Sequence, residues 1–338
     1  MGAPNTASAW HVDRPLSNLS IALTQESTQF IANKTGTPIP VQKESDKYTV
    51  YPQGYWNREY DSTRAEEGVA NSVNYKTREE NYSIGDKALR IFISDRKRAN
   101  ADSQFNLDRE GQMLVTNSLL IGEEIDFKNK FLTAGKWSKD LTGVTASPTG
   151  NQFLSWANTG ADPVGDWKKW RRDFVLRSAG KMPNEISMTL DVYDALTEHP
   201  SITDRIKTTT ADKPAMVTKS MLAGLFEVDR INVIQTVVNT ANDAIEDSVT
   251  GETPVTNTFL ASELFLATYI EPTGGLLTAT ALANFYLPAF TGARLGPRFR
   301  RYRAVEGKDG EYIEGQLRVD RRIVAKDLGQ LWSSVLAV

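Results

Sequence analysis

One long helix is predicted by the stretch Asn100-Ala-Asp-Ser-Gln-Phe-Asn-Leu-Asp-Arg-Glu-Gly-Gln-Met-Leu-Val-Thr-Asn-Ser-Leu-Leu-Ile-Gly-Glu-Glu-Ile-Asp-Phe-Lys-Asn-Lys-Phe-Leu-Thr-Ala-Gly135. Apolar residues recur through it at helical spacing. We expect five of them to form its buried face: Leu107, Leu114, Ile121, Ile125 and Leu132. Asp102 or Asn106 can cap its start and Gly135 can stop it, which places the helix at about 107–134. Such a helix is about 40 Å long. It is either the spine of an elongated subunit or a core helix of an ordinary enzyme.

The composition is that of a globular protein without disulfides. The chain has 338 residues, 40% of them hydrophobic, which is enough for one large domain or two. Its 39 basic and 42 acidic residues give a net charge of −3, so any contact with nucleic acid must be local. The absence of cysteine also excludes thiolate metal sites and cysteine nucleophiles. Neither a signal peptide nor an apolar run long enough to cross a membrane is present, so we expect synthesis in the cytoplasm.

The first 45 residues are rich in polar residues and proline, and we interpret them as an N-terminal arm. Four apolar side chains are expected to dock the arm onto another surface: Trp10, Leu19, Leu23 and Phe30. A disordered tail is the alternative.

A long charged segment separates two predicted strands at 48–51 and 89–93. Residues 52–88 contain few aliphatics, and a loop of this length is uncommon inside a compact domain. Its aromatic residues argue against disorder, so we expect a hairpin supported by a neighbouring subunit. The residues expected at that interface are Tyr55, Trp56, Arg58, Glu59, Arg64, Glu66, Glu67, Arg78 and Glu79.

The remaining elements alternate between helix and strand, which favours an α/β or α+β domain. Asp162-Pro163 begins a second helix that carries Trp167, Trp170 and Phe174 on one face. Four basic residues on its other face are expected to be solvated or ion-paired rather than to bind phosphate: Lys168, Lys169, Arg171 and Arg172. Residues 136–151 are expected to be a linker, and Lys308-Asp309-Gly310 predicts a hairpin turn.

No catalytic motif is present in the sequence. His11 and His199 stand in no metal-binding or acid–base spacing, so we expect each to be exposed or to cap a helix. Phosphate-binding loops, dinucleotide-binding loops and the common hydrolase motifs are absent. The adjacent carboxylates Glu66-Glu67, Glu79-Glu80 and Glu123-Glu124 need not face one pocket. A carboxylate-dependent hydrolase with a long lid loop remains an alternative.

The order of these elements resembles that of the major capsid proteins of tailed bacteriophages. Four parts of the chain carry the resemblance: His11-Val-Asp-Arg-Pro-Leu-Ser-Asn-Leu-Ser-Ile-Ala22, Val41-Gln-Lys-Glu-Ser-Asp-Lys-Tyr48, Arg98-Ala-Asn-Ala-Asp102, and Lys181-Met-Pro-Asn-Glu185 through His199-Pro-Ser-Ile-Thr-Asp-Arg-Ile206.

The resemblance implies an α+β shell-forming fold with five parts. These are an arm at 1–45, an extended hairpin loop at 46–95 that lies on the neighbouring subunit, a peripheral domain at 96–182 with the spine helix and completed by 299–324, an axial α/β domain at 183–298, and a C-terminal tail at 325–338. It also implies a structural protein with no catalytic residue, cofactor or metal, which assembles as hexamers and pentamers into an icosahedral shell around double-stranded DNA.

The resemblance further implies a place and partners for the protein. It would form the virion capsid, assembled in the cytoplasm of the bacterial host and away from membranes. Its partners would be other copies of itself, a portal, decoration proteins and the packaged DNA, with phosphate contacts limited to patches such as Arg298, Arg300, Arg301 and Arg303. The family often carries an N-terminal scaffolding segment; we expect a separate scaffold protein instead, because there is no room for such a segment before Leu16. The alternative within the same fold is an encapsulin compartment that holds a cargo enzyme.

Overall fold

The computed structural model describes residues 25–26, 29–64, 66–101, 106–207, 217–241, 255–275, 277–291, 295–305 and 308–337 of the chain. Helices and strands both occur throughout these ranges, so the expected α+β class is confirmed. The helices are α1 Asp95–Asn100, α2 Leu107–Phe131, α3 Pro163–Arg177, α4 Leu190–Glu198, α5 Pro200–Lys207, α6 Lys219–Phe226 and α7 Pro288–Thr291. The strands are β1 Thr37–Pro40, β2 Ser45–Val50, β3 Arg78–Ser83, β4 Lys87–Ser94, β5 Asp140–Val144, β6 Gln152–Leu154, β7 Glu185–Thr189, β8 Arg230–Ile234, β9 Val237–Asn239, β10 Asn257–Phe259, β11 Phe265–Thr268, β12 Leu282–Tyr286, β13 Arg298–Arg303, β14 Gly310–Leu317, β15 Val319–Ile323 and β16 Gly329–Ser333.

The main core lies against a six-stranded sheet with the order β6-β5-β16-β11-β7-β8. In this sheet β11 is antiparallel to both of its neighbours, whereas the other pairs are parallel. Large aromatic side chains fill the core, and the ring centroid of Trp332 lies 4.8 Å from that of Phe153 and 5.3 Å from that of Trp156. α3 begins at Pro163 as predicted and adds the buried Trp167 to this cluster.

The long helix α2 begins where the sequence predicts and ends three residues earlier than predicted. The side chain of Asn106 accepts a hydrogen bond from the Arg109 N–H and caps the start, while Leu132 forms the C-terminal cap. The buried residues follow each other mostly at four-residue steps: Gly111, Val115, Leu119, Leu120, Glu123, Glu124, Phe127 and Phe131. Gly111, Glu123 and Glu124 interrupt the apolar pattern of this face, which differs from the face predicted from the sequence.

The predicted buried face of α2 differs from the observed one. Leu132 is buried, and Leu107, Ile121 and Ile125 are half-buried. Leu114, however, is 59% exposed in the isolated chain. Adjacent residues of a helix lie about 100° apart, and Val115 occupies the buried position next to it.

A three-stranded sheet with the order β13-β14-β4 covers the first half of α2. The predicted turn at Lys308-Asp309-Gly310 joins β13 to β14 as an antiparallel pair. Gly315 lets the helix approach this sheet, because a Cβ atom at that position would lie 2.7 Å from Cγ1 of Val115. Ile313 is buried between the sheet and α2 on the same face.

Two smaller sheets carry the N-terminal part of the described chain. β1 pairs in parallel with β12, which in turn pairs with β15. β2 and β3 form an antiparallel hairpin whose register runs from Ser45 opposite Ser83 to Val50 opposite Arg78. Residues 51–77, of which all but Ala65 are described, connect these two strands. The loop is shorter than the predicted segment at 52–88, because β3 lies within that segment.

Two segments that were predicted to be a linker and a tail contribute strands to the six-stranded sheet. Residues 136–151 contain β5, although they were predicted to be a linker. Residues 325–338 were predicted to be a tail, but they contain β16, which lies between β5 and β11 with Trp332 fully buried. A strand at the centre of a sheet is defined by its partners, and the partners of β16 are far away in sequence.

The predicted boundary between residues 182 and 183 does not separate two cores. The six-stranded sheet takes β5 and β6 from the predicted peripheral range and β7, β8 and β11 from the predicted axial range. Likewise β15, predicted to complete the peripheral domain, pairs with β12.

Candidate interaction surfaces

Internal contacts connect several of the described residues of the loop at 51–77. At its base the ring centroids of Tyr51, Trp56 and Tyr75 lie 5.5–6.1 Å apart. Further out, Nε of Arg64 donates to the backbone oxygen of Gly68 at 2.6 Å. These contacts hold the loop without burying much of it in its own chain.

Apolar side chains on this loop are exposed to solvent. Val69 is 94% exposed, Val73 58%, Trp56 54% and Tyr75 52%. Large exposed apolar side chains on a single loop are typical of an interaction site. The sequence prediction of the interface included Trp56 but not Val69, Val73 or Tyr75. The two valines could have been recognised as isolated aliphatic residues in an otherwise charged segment.

The predicted interface residues fall into two groups. Arg78 and Glu79 lie on β3 at the stem of the hairpin, where Arg78 pairs with Glu80 at 2.7 Å and Glu79 with Lys47 at 2.9 Å. The remainder lie on the loop itself, where Tyr55 is half-buried and its backbone oxygen accepts a hydrogen bond from Tyr60.

Four charged loop residues have no ion pair or hydrogen bond to any part of the chain that the structure describes: Arg58, Glu59, Glu66 and Glu67. Their side chains are exposed. These charges, unlike those of the stem, are therefore available to another molecule.

Of the residues predicted to dock the arm, the structure describes only Phe30. Trp10, Leu19 and Leu23 lie outside the described residues. Phe30 is 3% exposed, and the segment that follows it is built into the chain's own core. The Ala32 N–H donates to Oε1 of Glu124 at 2.6 Å, and Nε of Arg321 donates to the Ala32 oxygen at 3.1 Å.

A buried ionic network that the sequence did not predict joins α2 to β4 and β15. Glu123, on α2, pairs with Arg321 of β15 and with Nζ of Lys87 of β4, the latter at 2.8 Å. Glu123 and Arg321 are 1% and 3% exposed. Burial lowers the pKa of Arg321 to about 10. An adjacent residue, Glu124, also 1% exposed, has a pKa that burial raises to about 7.

The four arginines of β13 that were predicted as a phosphate-binding patch do not face one way. Arg301 pairs with Asp108 of α2 at 3.0 Å and also with Glu311. Arg303 pairs with Asp95 at 2.7 Å. Arg298 and Arg300 lie on the opposite face of the sheet, since side chains alternate along a strand. The predicted patch is therefore divided between two faces.

The basic face of α3 is partly ion-paired. Arg171 pairs with Glu227 at 2.7 Å, and Nζ of Lys169 lies 4.9 Å from the ring centroid of Trp170. Lys168 and Arg172 are exposed. This distribution favours the solvated or ion-paired surface expected from the sequence.

His199 is buried and joins α4 to α5. Its Nδ1 accepts a hydrogen bond from the Ser201 N–H at 3.2 Å, and its Nε2 faces the Asn158 backbone oxygen at 3.2 Å. The carbonyl requires a proton on Nε2, which leaves Nδ1 as the acceptor. Of the two predicted alternatives for His199, exposure and capping, the structure thus shows capping.

A cavity of about 270 Å³ lies where residues 33–38 meet the starts of β7 and β8. Glu185 and Arg230 line it. The carboxylate of Glu185 accepts a hydrogen bond from Asn232 at 2.7 Å, and burial raises its pKa. Across the described ranges, no three His, Asp or Glu side chains are grouped to hold a metal ion. No helix in these ranges is both long and apolar enough to span a membrane.

Comparison with known proteins identifies the fold. The sequence matches no family model and no curated protein sequence. Among solved structures, a phage-related protein from Bordetella bronchiseptica superposes with a TM-score of 0.66 at 16% identity, covering 93% of this chain and 95% of that chain. The capsid protein of cyanophage P-SCSP1u superposes with a TM-score of 0.58 at 11% identity, covering 98% of this chain and 95% of that chain.

A compartment protein shares the same fold. The SrpI encapsulin from Synechococcus elongatus superposes with a TM-score of 0.52 at 14% identity, covering 99% of this chain and 96% of that chain. These identities are low, so the comparisons establish the fold alone. The chain has the fold of phage capsid proteins, and its resemblance to the major capsid proteins of tailed bacteriophages is confirmed at the level of the fold.

Proposed function

We propose that this chain is the structural major capsid protein of a tailed bacteriophage. In this proposal it assembles as hexamers and pentamers into an icosahedral shell that encloses double-stranded DNA. The observation that carries the proposal is the exposed loop at 51–77 on a chain with the capsid fold. Its role is structural rather than catalytic.

The loop has the chemistry of a contact between unlike surfaces of neighbouring subunits. Val69, Val73 and Trp56 supply apolar area that a partner would remove from water. Arg58 and Glu67 are among the charges that have no partner in the described part of the chain and can pair across the contact. The stem of the hairpin packs on its own chain, where the ring of Tyr82 stacks on that of Phe285 at 4.7 Å. A neighbouring subunit would therefore support the loop beyond the stem. Repetition of one such head-to-tail contact closes a ring.

The proposed location is the virion capsid, assembled in the cytoplasm of the bacterial host. The proposed partners are other copies of the chain, together with a separate scaffold, a portal and decoration proteins. The packaged DNA would be contacted without regard to its sequence. Each contact between subunits is individually weak, and the closed shell is stable because many such contacts act together.

Electron microscopy of the purified chain tests this proposal. The chain is expressed alone and together with the neighbouring open reading frames, and closed shells or ring-shaped capsomers are expected. Val69→Asp should abolish assembly, because it places a charge where the partner buries apolar surface. Val305→Asp is the matched control, since Val305 is also a highly exposed valine, at 82%, but lies outside the loop. A uniform monomer of about 37.5 kDa under all these conditions would overturn the proposal.

The superposition on an encapsulin keeps a second candidate function open. In that case the shell would be a protein compartment that holds a cargo enzyme instead of a genome. The contents of purified shells separate the two functions: nucleic acid favours the phage capsid, whereas a co-purifying enzyme without nucleic acid favours the compartment. Absorbance ratios and mass spectrometry of intact shells provide both measurements.

A further inference from the structure

The face of the β13-β14-β4 sheet that points away from α2 carries ordered rows of cations and aromatic rings. We call it the outer sheet face and define it by Arg90, Phe92, Arg298, Arg300, Tyr302, Lys308, Tyr312 and Glu314. The strand register places Arg300, Glu314 and Arg90 in one row, and Tyr302, Tyr312 and Phe92 in the next. Arg298 begins a third row, opposite Gln316.

The charge on this face is positive. Its strands contribute three arginines against one carboxylate, Glu314, which is 7% exposed. That carboxylate accepts hydrogen bonds from Tyr302 at 2.6 Å and from Arg300 at 2.8 Å. The hydrogen bond from Tyr302 lowers the pKa of Glu314, so the group stays ionised but is covered. The chain as a whole has a net charge of −3, so this cationic face is a local feature of an acidic protein.

Aromatic rings hold the cations of this face in place. The guanidinium carbon of Arg90 lies 4.4 Å from the ring centroid of Tyr312, and that of Arg298 lies 5.1 Å from the centroid of Phe290. Nζ of Lys308 lies 5.9 Å from the centroid of Phe92. Stacking of this kind orders a long side chain before any partner binds, which lowers the entropic cost of binding.

Most of the hydrogen-bond donors of these arginines remain unused. A guanidinium carries five N–H groups. Within the described residues, Arg90 donates one hydrogen bond, to Tyr302, and Arg298 donates one, to the Phe290 oxygen. Arg300, whose side chain is 60% exposed, uses two N–H groups on Glu314. The remaining donors suit the oxygen atoms of a phosphate.

The chemistry of the face favours a polyanion over a protein partner. Arginine and aromatic residues are also common at protein–protein interfaces, but the centre of such an interface is depleted of charge overall. Here the rings are already covered by cations, and Phe92, at 37% exposure, is the most exposed of them. Interfaces with DNA, in contrast, are strongly positive and polar.

We propose that the outer sheet face binds the phosphate backbone of double-stranded DNA and therefore faces the interior of the shell. This inference rests on the proposed function as a capsid protein. It assigns the phosphate contacts to Arg90, Arg298, Arg300 and Lys308, and it removes Arg301 and Arg303 from that role because Asp108, Glu311 and Asp95 neutralise them.

The test measures binding of the purified full chain to a short synthetic double-stranded DNA as a function of salt. The variant Arg90→Gln/Arg298→Gln removes two charges, and neither arginine has a carboxylate partner among the described residues, so folding should be retained. Each lost phosphate contact reduces the slope of log K against log salt by about 0.9. We expect the slope to fall in magnitude by about 2 in the double variant.

The matched control is Lys168→Ala/Arg172→Ala, which removes two exposed charges from α3. This control should leave the salt dependence unchanged. An unchanged slope in the sheet variant, or a loss of binding only in the α3 variant, overturns the assignment. If the sheet variant binds DNA normally but no longer assembles, the face is a subunit contact and the inference is wrong, while the capsid function stands. If the native chain forms no shells, the capsid function fails, and the DNA measurement still decides whether this face binds phosphate.

Discussion

Burial governs the ionisation of Glu124, whose carboxylate lies inside the chain beside the Ala32 N–H. Its pKa is raised from an ordinary 4.5 to about 7, so the folded chain holds this proton more tightly than the unfolded chain does. Stability therefore falls as the pH rises through this interval, because only the unfolded chain releases the proton freely. The rise of the pKa corresponds to a loss in the free energy of unfolding of about 3 kcal/mol at most across this pH interval.

Replacement of Glu124 by glutamine should flatten this part of the pH dependence. Glutamine keeps an acceptor for the Ala32 N–H but cannot ionise. The free energy of unfolding, measured with urea between pH 5 and 8, should differ from that of the native chain mainly at the upper end, where the variant is more stable. Glu110→Gln, an exposed position of the same helix, serves as the control. Equal pH profiles for the native chain and Glu124→Gln would contradict the assignment.

Removing one partner of the Glu123–Arg321 ion pair should destabilise the chain more than replacing both partners. Arg321→Met leaves Glu123 buried with only Lys87 as a cationic partner, and a loss of about 3–5 kcal/mol is expected. Changing both residues to methionine should recover a large part of that loss, because no uncompensated charge remains. A double-mutant cycle in urea measures the coupling. A double variant as unstable as the single one would show that packing, not charge, dominates here.

At the scale of elements, glycines control how α2 meets the sheet. A Cβ at Gly315 would lie 2.7 Å from Val115, whereas one at Gly122 of α2 would contact nothing within 4 Å. Gly315→Ala should therefore destabilise the chain by about 1–3 kcal/mol, and Gly122→Ala should stabilise it by about 0.5–1 kcal/mol. Thermal melting should show a lower melting temperature for Gly315→Ala and a higher one for Gly122→Ala than for the native chain. Val115→Ala in the Gly315→Ala background should restore part of the loss.

Local patterns in the sequence predicted where helices and strands lie better than they predicted which of them pack together. Asp162-Pro163 marked the start of α3, because a cap and a first-turn proline act within one helical turn. The buried face of α2 was not predictable in detail, since two of its residues are glutamates whose partners lie on β4, β15 and the segment around Ala32. The position of β16 likewise depends on strands distant in sequence.

For the candidate surfaces, too, the sequence predicted which segments matter but not which side chains are exposed. Aromatic residues among charges predicted the loop at 51–77, because a segment with little to bury needs support from elsewhere. Which of its residues are exposed depends on the internal contacts of the loop, such as the bond between Arg64 and Gly68. Similarly, the four arginines of β13 were visible in the sequence, but their division between two faces required the register of the strands and the carboxylates on each side.

At the scale of the whole molecule, the loop should change its protease sensitivity when subunits associate. The free chain presents an exposed loop at 51–77, with Val69 at 94% exposure, and should be cut there first. In the proposed shell a neighbouring subunit would cover the same residues, so we expect cleavage to slow greatly. Limited proteolysis followed by mass spectrometry of both forms compares them. The loop is a lid rather than a subunit contact if it resists proteolysis in the monomer.

The position of β16 has a consequence for how the protein is made. This strand joins β6-β5 to β11-β7-β8, yet it follows every other strand of that sheet along the chain. While the ribosome is still synthesising residues before Gly329, the sheet exists only as two separate pieces, and the main core cannot close around Trp332. Products of interrupted translation therefore cannot complete this fold. The order of the strands thus makes completion of the main core depend on synthesis of the whole sheet.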